Sequence, residues 1–343
     1  KLKALIAAGD AKIPVADPEG LKASMTEHRN FLKEQPFFAV LSAHGTSGIV
    51  AAAAATADTP IKNWGGVPED FPTAEKISDD RVIAMQKRKW GCWKCPIACG
   101  GLTEVKAGAY TSDTHKPEYE TLGAFGTMCL NDNVESINLC NEYCNRYGLD
   151  TIGTGCTVCF AIECYENGVL TKDDTGGLEL TWGNHAAIVE LTRQIALGTG
   201  FGGKVLADGA KVAAERIGNG AEQYAMHLGG EELPLHDPRL NPGLATSYKI
   251  DATPGRHTQM SAWTKEAGFA PPGLVAGEFE RYQTAGKGQV YRVISAHHHV
   301  SSAAGVCLFA WSNMKPESLS DSLKYVTGKD YTLDEIQRMG DRI

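Results

Sequence analysis

Trp90-Gly91-Cys92-Trp93-Lys94-Cys95-Pro96-Ile97-Ala98-Cys99-Gly100-Gly101 decides how the rest of the chain is read. Its three thiols have Cys-x2-Cys-x3-Cys spacing, with a proline after the second and a glycine pair after the third. Glycine and proline bend the backbone so that neighbouring side chains can converge on one centre. Three thiolates so spaced suit an iron–sulfur cluster that takes its fourth ligand from elsewhere. Zinc is the rival, because Cys-x2-Cys is also half of a zinc site. A zinc site normally shows a second paired knuckle. Cys156-x2-Cys159 has that spacing but lies in an apolar helical run rather than on a turn. The cluster is the favoured reading, and zinc stays open.

The 343 residues, 43% of them hydrophobic, are enough for about two domains. A net charge of −8 and a pI of about 5.7 argue against nucleic acid as a partner. No apolar stretch is counted that reaches the ~18 residues of a membrane span; the longest, residues 48–57, is alanine-rich and short. The ten cysteines cluster, six of them between Cys129 and Cys164, which suits core packing or metal ligation in a reducing compartment. A cytoplasmic protein is expected. Residues 1–9 read as a strand entered midway and residues 333–343 as a helix cut before any cap. With no initiator methionine and no signal peptide, the chain is expected to be an excerpt of a longer protein.

Along the chain, Asp17-Pro18-Glu19 marks a helix start, with the helix reaching about residue 34. Further helices are expected at 48–57, from 73 up to the cysteine stretch, 133–147, from 150 to about 167, 184–198, 205–217 and 277–312. Gly148 fits a left-handed helix stop and Asp150 the next helix start. Residues 58–72 read as loop, 101–113 as a short strand pair, and 240–276 as a long irregular connection. The fold class is mainly α.

Six segments (90–101, 117–126, 145–155, 232–239, 255–257 and 303–309), taken in this order, resemble the tungsten-dependent aldehyde:ferredoxin oxidoreductases. By this resemblance Cys92, Cys95 and Cys99 are three ligands of a 4Fe–4S cluster and Cys307 the distant fourth. Gly305-Val306-Cys307 matches the end of the family's aspartate-x-x-Gly-Leu-Cys pterin motif, with Ser302 at the aspartate position. Asn145-Arg146-Tyr147-Gly148-Leu149-Asp150 resembles the sister motif, which normally starts with aspartate. Asparagine accepts the same hydrogen bonds but carries no charge.

Glu120 matches the family's metal-proximal carboxylate, with Glu118 as the fallback, and His257 its active-site histidine. Leu235-His236-Asp237-Pro238-Arg239 matches a loop lying against the cofactor. Arg239 there could grip a phosphate, and an Asp237–Arg239 structural pair is the other reading. His297-His298-His299 looks like a metal site, but adjacent helix positions do not converge. That triplet is read as surface or supporting. Cys140, Cys144, Cys156, Cys159 and Cys164 are read as core.

The resemblance implies a multi-helical, two-domain C-terminal part of that family's fold. Residues 1–12 would be a strand remnant of an N-terminal pterin-binding domain. Residues 13–150 would form a helical domain carrying the three-cysteine motif, and 151–343 a second one with the fourth cysteine and the histidine. It also implies tungsten (or molybdenum) held by two pterins, oxidising an aldehyde with water to the carboxylate. Electrons would leave through the cluster to ferredoxin or a partner iron–sulfur subunit, and a homodimer is left open. The alternatives are an aryl-CoA reductase-like tungsten enzyme and a pterin-free iron–sulfur electron carrier.

Overall fold

The computed structural model describes residues 5–277 and 279–343. Helix α1 (Pro18–Lys33) starts where the sequence marks it. Asp17 accepts a hydrogen bond from the Gly20 amide at 2.9 Å, and Pro18 fills the first helical position, whose amide would be unbonded anyway. The strand expected at residues 1–9 is corrected for its described part. Residues 5–9 form no strand, and Leu5 and Ile6 are exposed, because no described strand pairs with them. Residues 1–4 lie outside the described residues.

The helix expected at 48–57 is α3 (Val50–Ala55), and an unexpected helix, α2 (Pro36–His44), precedes it across a tight turn over Gly45–Ile49. The 20 residues Pro36–Ala55 are long and apolar enough to cross a membrane by length and composition, which corrects the count made from the sequence. Ser42, His44, Thr46 and Ser47 interrupt the apolar run but carry no fixed charge. Leu41, Val50, Ala53 and Ala54 of this stretch are buried in the protein.

Helix α4 (Asp79–Ala84) stops short of the cysteines. The chain instead enters them through strand β1 (Gln86–Trp90), which corrects the expected continuous helix. β1 pairs antiparallel with β2 (Gly100–Val105), and β2 with β3 (Ser112–His115), in register Trp90↔Gly100 and Val105↔Ser112. Partners in a strand pair are set by residues far along the chain, so local pattern misses them. The expected strand pair thus has a third member, and the cysteines sit on the loop of the β1–β2 hairpin. A Cβ on Gly91 would come within 2.8 Å of Ala98 Cα, so glycine lets the base of that loop close.

Helix α5 (Tyr119–Leu122) runs into a wide turn over Gly123–Thr127. Helices α6 (Val134–Tyr147), α7 (Thr151–Glu166) and α8 (His185–Leu197) are capped by Asn133, Asp150 and Asn184. Helix α9 (Ala210–Ile217) begins later than expected, because Gly202–Leu206 forms a separate wide turn. Together these elements enclose the main core, which runs from Val50 to Leu235 and includes Phe125, Ile137, Phe160, Ile188 and the buried cysteines of α6 and α7. Burying a side chain the size of Phe125 or Phe160 contributes on the order of 1.5–3 kcal/mol.

Strands β4 (His227–Leu228) and β5 (Glu231–Glu232) form a small hairpin. The expected irregular stretch at 240–276 holds α10 (Gly243–Ile250) and α11 (Ala262–Glu266). The buried Glu266 carboxylate accepts from the Gly243 amide at 2.9 and 3.1 Å, capping α10 from 23 residues away. A cap delivered across that distance leaves no local signature. Helices α12 (Lys287–Ala303) and α13 (Leu308–Trp311) join α10 and α11 in a second core around Trp263, Ile294 and Trp311.

Helix α14 (Glu317–Thr327) lies on α1, and α15 (Leu333–Gly340) on α12. α15 is followed by Asp341, whose dihedrals are still helical (φ −63°, ψ −15°).

Candidate functional site

The hairpin loop bends twice at residues that are not glycine: Lys94 and Ala98 have φ of 56° and 50°. Such a conformation costs energy and is held only where the surroundings determine it. The Cys95 amide bonds back to the Cys92 carbonyl at 3.0 Å, turning the chain tightly between the first two cysteines. Cys95 and Cys99 pack beside Ile97 and Phe309, and Phe309 lies two residues beyond Cys307. Cys307 is close enough that its charge, after burial and Glu118, helps push the Cys99 thiol up to about 11. The Lys116 ammonium donates to the Cys99 carbonyl at 2.9 Å, which fixes the loop's far end. Cys95, Cys99 and Cys307, all unbridged, therefore lie close together, with the unbridged Cys92 tied to Cys95 through the backbone. This donor set fits an iron–sulfur cluster.

The two motifs expected to face a pterin share one local structure. α6 ends at Gly148 with φ 71°, and the Leu149 amide bonds to the Cys144 carbonyl at 2.9 Å. Asp150 follows and caps α7 by accepting from the Gly153 amide at 3.0 Å. α12 ends likewise at Gly305, with φ 81°; the Val306 amide bonds to the Ser301 carbonyl at 2.9 Å, and Cys307 precedes α13. Cys307 thus stands where Asp150 stands, but its side chain makes no cap bond and its sulfur is left for another ligand.

Asn145 donates to Thr114 Oγ1 at 3.3 Å. Ser302 is exposed on the last turn of α12, as are the residues up to Gly305. The amides of Ala304, Gly305 and Val306 are taken by the Val300, Ser302 and Ser301 carbonyls, so a polar ligand at this exposed turn would meet the Ser302 side chain rather than free amides. Asp237 and Arg239 pair within the chain: the guanidinium reaches both carboxylate oxygens at 2.6–3.0 Å and the Trp64 carbonyl at 3.1 Å.

Glu118 and Glu120 flank the start of α5 and point apart. Glu118 accepts from the Thr46 hydroxyl and lies on the cysteine side. Glu120 turns the other way, where its Oε2 accepts from the Leu235 amide at 2.8 Å. Its Oε1 is buried without a hydrogen-bond partner among the described residues, 3.4 Å from His257 Nε2 and 3.9 Å from His236 Nε2. His257 Nδ1 is likewise buried and unpartnered.

His236 is held by Asp58, 2.7 Å from its Nδ1, and Asp58 is held by the Asn241 amide at 3.0 Å. The Tyr119 ring stacks on His236 at 4.6 Å, and Trp263 stands 5.3 Å from His236 and 5.9 Å from His257. These rings wall off a low-dielectric pocket in which charge interactions are strong.

Burial raises the Glu120 pKa, against the pull of His236 and the Leu235 amide. Burial pulls His236 down, but the bond to Asp58 and its charge outweigh it, so its pKa ends above the ordinary value. Burial, then the neighbouring His236 and Arg256, hold His257 well below the ordinary value, so it is neutral near pH 7. A carboxylate with a raised pKa beside a neutral imidazole is suited to accepting and passing a proton.

The structure thus brings Glu120 and His257 together and sets Cys307 beside Cys95 and Cys99, with Cys92 on the same hairpin loop. It also brings in residues that sequence reasoning left unassigned. His236 was visible in its loop, but its partner Asp58 is 178 residues away. Arg256 ties the pocket's rim, donating to the Glu232 carbonyl at 2.9 Å and Glu231 at 2.8 Å, and lying 3.6 Å from Asp150. The surface reading of His297 and His298 is corrected. Both are buried: His297 bonds the Trp311 indole at 2.9 Å, and burial with two histidine neighbours pushes His298 down to about 4.

Residues 23–343 match the family described as "Aldehyde ferredoxin oxidoreductase, domains 2 & 3". The chain is 29% identical over 351 residues to the tungsten-containing aldehyde ferredoxin oxidoreductase of Thermococcus kodakarensis, covering 100% of this chain and 55% of that protein. It is 32% identical over 275 residues to the WOR-like subunit of an aliphatic sulfonate oxidoreductase from Pyrococcus furiosus, covering 76% of this chain and 42% of that subunit. The chain therefore spans about half the length of the curated relatives it matches. A solved structure, the active site complex BamBC of benzoyl coenzyme A reductase with 1,5-dienoyl-CoA, shares the fold with a TM-score of 0.74. That match is 18% identical and covers 96% of this chain and 56% of that one.

Proposed function

Because the chain belongs to the aldehyde ferredoxin oxidoreductase family, we propose that the complete protein oxidises an aldehyde with water to the carboxylate in the cytoplasm. The observation that carries this reading is the buried, unpartnered Glu120 Oε1 lying 3.4 Å from a neutral His257. When bound, a tungsten (or molybdenum) bis-pterin supplies the two-electron chemistry, and a 4Fe–4S cluster carries the electrons onward. Cys92, Cys95, Cys99 and Cys307 would hold the cluster. The turns at 145–150 and 302–307, with the Asp237–Arg239 loop, would meet the pterins. The boundary near residue 150 between two helical domains belongs to the same proposal.

Converting an aldehyde and water to a carboxylate releases two electrons and three protons, so the site must take up protons as oxygen is added. Glu120 Oε1 accepts the proton of the attacking water or of the aldehyde hydrate. Its other oxygen, fixed by the Leu235 amide, keeps the acceptor aimed inward. His257 hydrogen-bonds the substrate oxygen and relays the proton, while His236, oriented by Asp58, faces the same Glu120 oxygen. Tyr119 and Trp263 exclude bulk water from these groups.

Ferredoxin or an iron–sulfur subunit accepts the electrons. The similarity to a protein named as the WOR-like subunit of a larger enzyme supports the subunit option. The second reading, reduction of an aryl-CoA thioester, is favoured by the shared fold with the benzoyl coenzyme A reductase complex. Assaying the full-length protein, purified without oxygen, against aldehydes and against aryl-CoA esters separates the two. Turnover of neither, with tungsten present, would overturn both.

A further inference from the structure

One ligand atom from each of Glu120, His236 and His257 lies within 4.8 Å of the other two. Tetrahedral zinc with bonds of roughly 2.0–2.1 Å places its ligand atoms about 3.3–3.4 Å apart. The two measured separations, 3.4 Å to His257 and 3.9 Å to His236, both meet at Glu120 Oε1. Binding would draw His236 in from 3.9 Å, and the two imidazole nitrogens together from within 4.8 Å, to that spacing. Glu120 Oε1 has no hydrogen-bond partner among the described residues, so a ligand would displace nothing.

His236 is also prepared as a metal-binding histidine is. Asp58 accepts from its Nδ1 at 2.7 Å, which directs the Nε2 lone pair at Glu120, and Asn241 fixes the other Asp58 oxygen at 3.0 Å. A carboxylate behind a histidine is the usual device for fixing the tautomer and raising the basicity of a metal ligand.

We propose that Glu120, His236 and His257 form a binding site for a single divalent cation of the zinc class. Two imidazole nitrogens select a transition metal over magnesium or calcium, which prefer all-oxygen shells. Three protein ligands leave a fourth position for water. The aromatic walls of Tyr119 and Trp263 keep competing solvent away. A cation here takes the oxygen that the proposed reaction needs as its proton acceptor, so the site opposes turnover. It uses the same side chains as that reaction but needs neither tungsten nor pterin. A full-length protein without tungsten would sink the reaction and leave the cation site standing. A chain that ignores zinc would do the reverse.

Because Cys-x2-Cys spacing is also half of a zinc site, the test uses the full chain with Cys92, Cys95 and Cys99 changed to serine and no pterin bound. Equilibrium dialysis against zinc chloride should find one zinc per chain, and X-ray absorption at the zinc edge should show two imidazoles and no sulfur. Glu120→Gln and His257→Asn, each checked for an unchanged far-ultraviolet dichroism spectrum, should weaken binding at least ~10-fold through loss of a ligand, and Asp58→Asn by about 10–100-fold through loss of the supporting bond. Affinity unchanged in both Glu120→Gln and His257→Asn, or a zinc shell without imidazole, overturns the proposal.

Discussion

Glu120→Gln separates the proton-accepting role of this residue from its structural one. Glutamine has the same shape, and its amide oxygen can take over the 2.8 Å bond from the Leu235 amide. Its NH2 group then lies where Oε1 stood, 3.4 Å from His257 Nε2, and can donate to that neutral nitrogen. No buried group is left newly unpaired, so the stability change should stay within about 1 kcal/mol. Glu120→Ala, by contrast, strands the Leu235 amide and opens a cavity, at a cost of about 2–4 kcal/mol.

What glutamine cannot do is accept a proton near neutral pH. General-base catalysis is worth ~10²–10⁴-fold, or about 2.7–5.5 kcal/mol of barrier. In aldehyde-dependent viologen reduction by the full-length protein, kcat should fall by that range while tungsten, iron and melting temperature stay at parental values. The acid limb of the parental kcat/KM profile should lie above the ordinary carboxylate range, because burial raises the Glu120 pKa and the base must be ionised. That limb should vanish in Glu120→Gln. Parental turnover at full tungsten occupancy would refute the assignment, and a loss in Glu118→Gln instead would move the base there.

Three further outcomes are expected. Cys95→Ser should abolish the broad visible absorbance of the cluster and its reduced-state paramagnetic signal, and an intact signal would exclude Cys95 as a ligand. Asp251 is buried, its Oδ2 is unpartnered and burial raises its pKa from 3.8 to about 6, so the folded state binds its proton more tightly. The resulting stability is present below about pH 4 and lost as pH rises through about 6. Asp251→Asn should flatten that slope in denaturant titrations and add about 1–3 kcal/mol at pH 7, whereas an unchanged slope would count against it. A Cβ on Gly155 would meet Ala124 Cβ at 2.6 Å, so Gly155→Ala should cost about 1–3 kcal/mol in thermal unfolding, and a variant as stable as the parent would contradict the close approach of α7 to the 123–127 turn.

The legible parts of the chain are those specified by neighbours in sequence. Asn133, Asp150 and Asn184 cap their own helices, Gly148 and Gly198 stop theirs, and α6, α7 and α8 fall where expected. The cysteine spacing is local too. What escaped depends on distant partners: β1 needs β2, α10 needs the Glu266 carboxylate, and His236 needs Asp58. Glu118 and Glu120 point apart because the chain turns from extended at Glu118 into helix at Tyr119, a change that nothing local in the sequence marks. The missed length of Pro36–Ala55 has another cause, since polar but uncharged residues break an apolar run without making it hydrophilic.

The most direct test is the metal and pterin content of the full-length protein purified without oxygen. The account predicts tungsten (or molybdenum) with two pterins and four irons per chain, together with aldehyde-dependent electron transfer. Iron without tungsten, molybdenum or pterin would leave an iron–sulfur electron carrier in place of the proposed enzyme, and zinc in place of iron would remove the cluster as well.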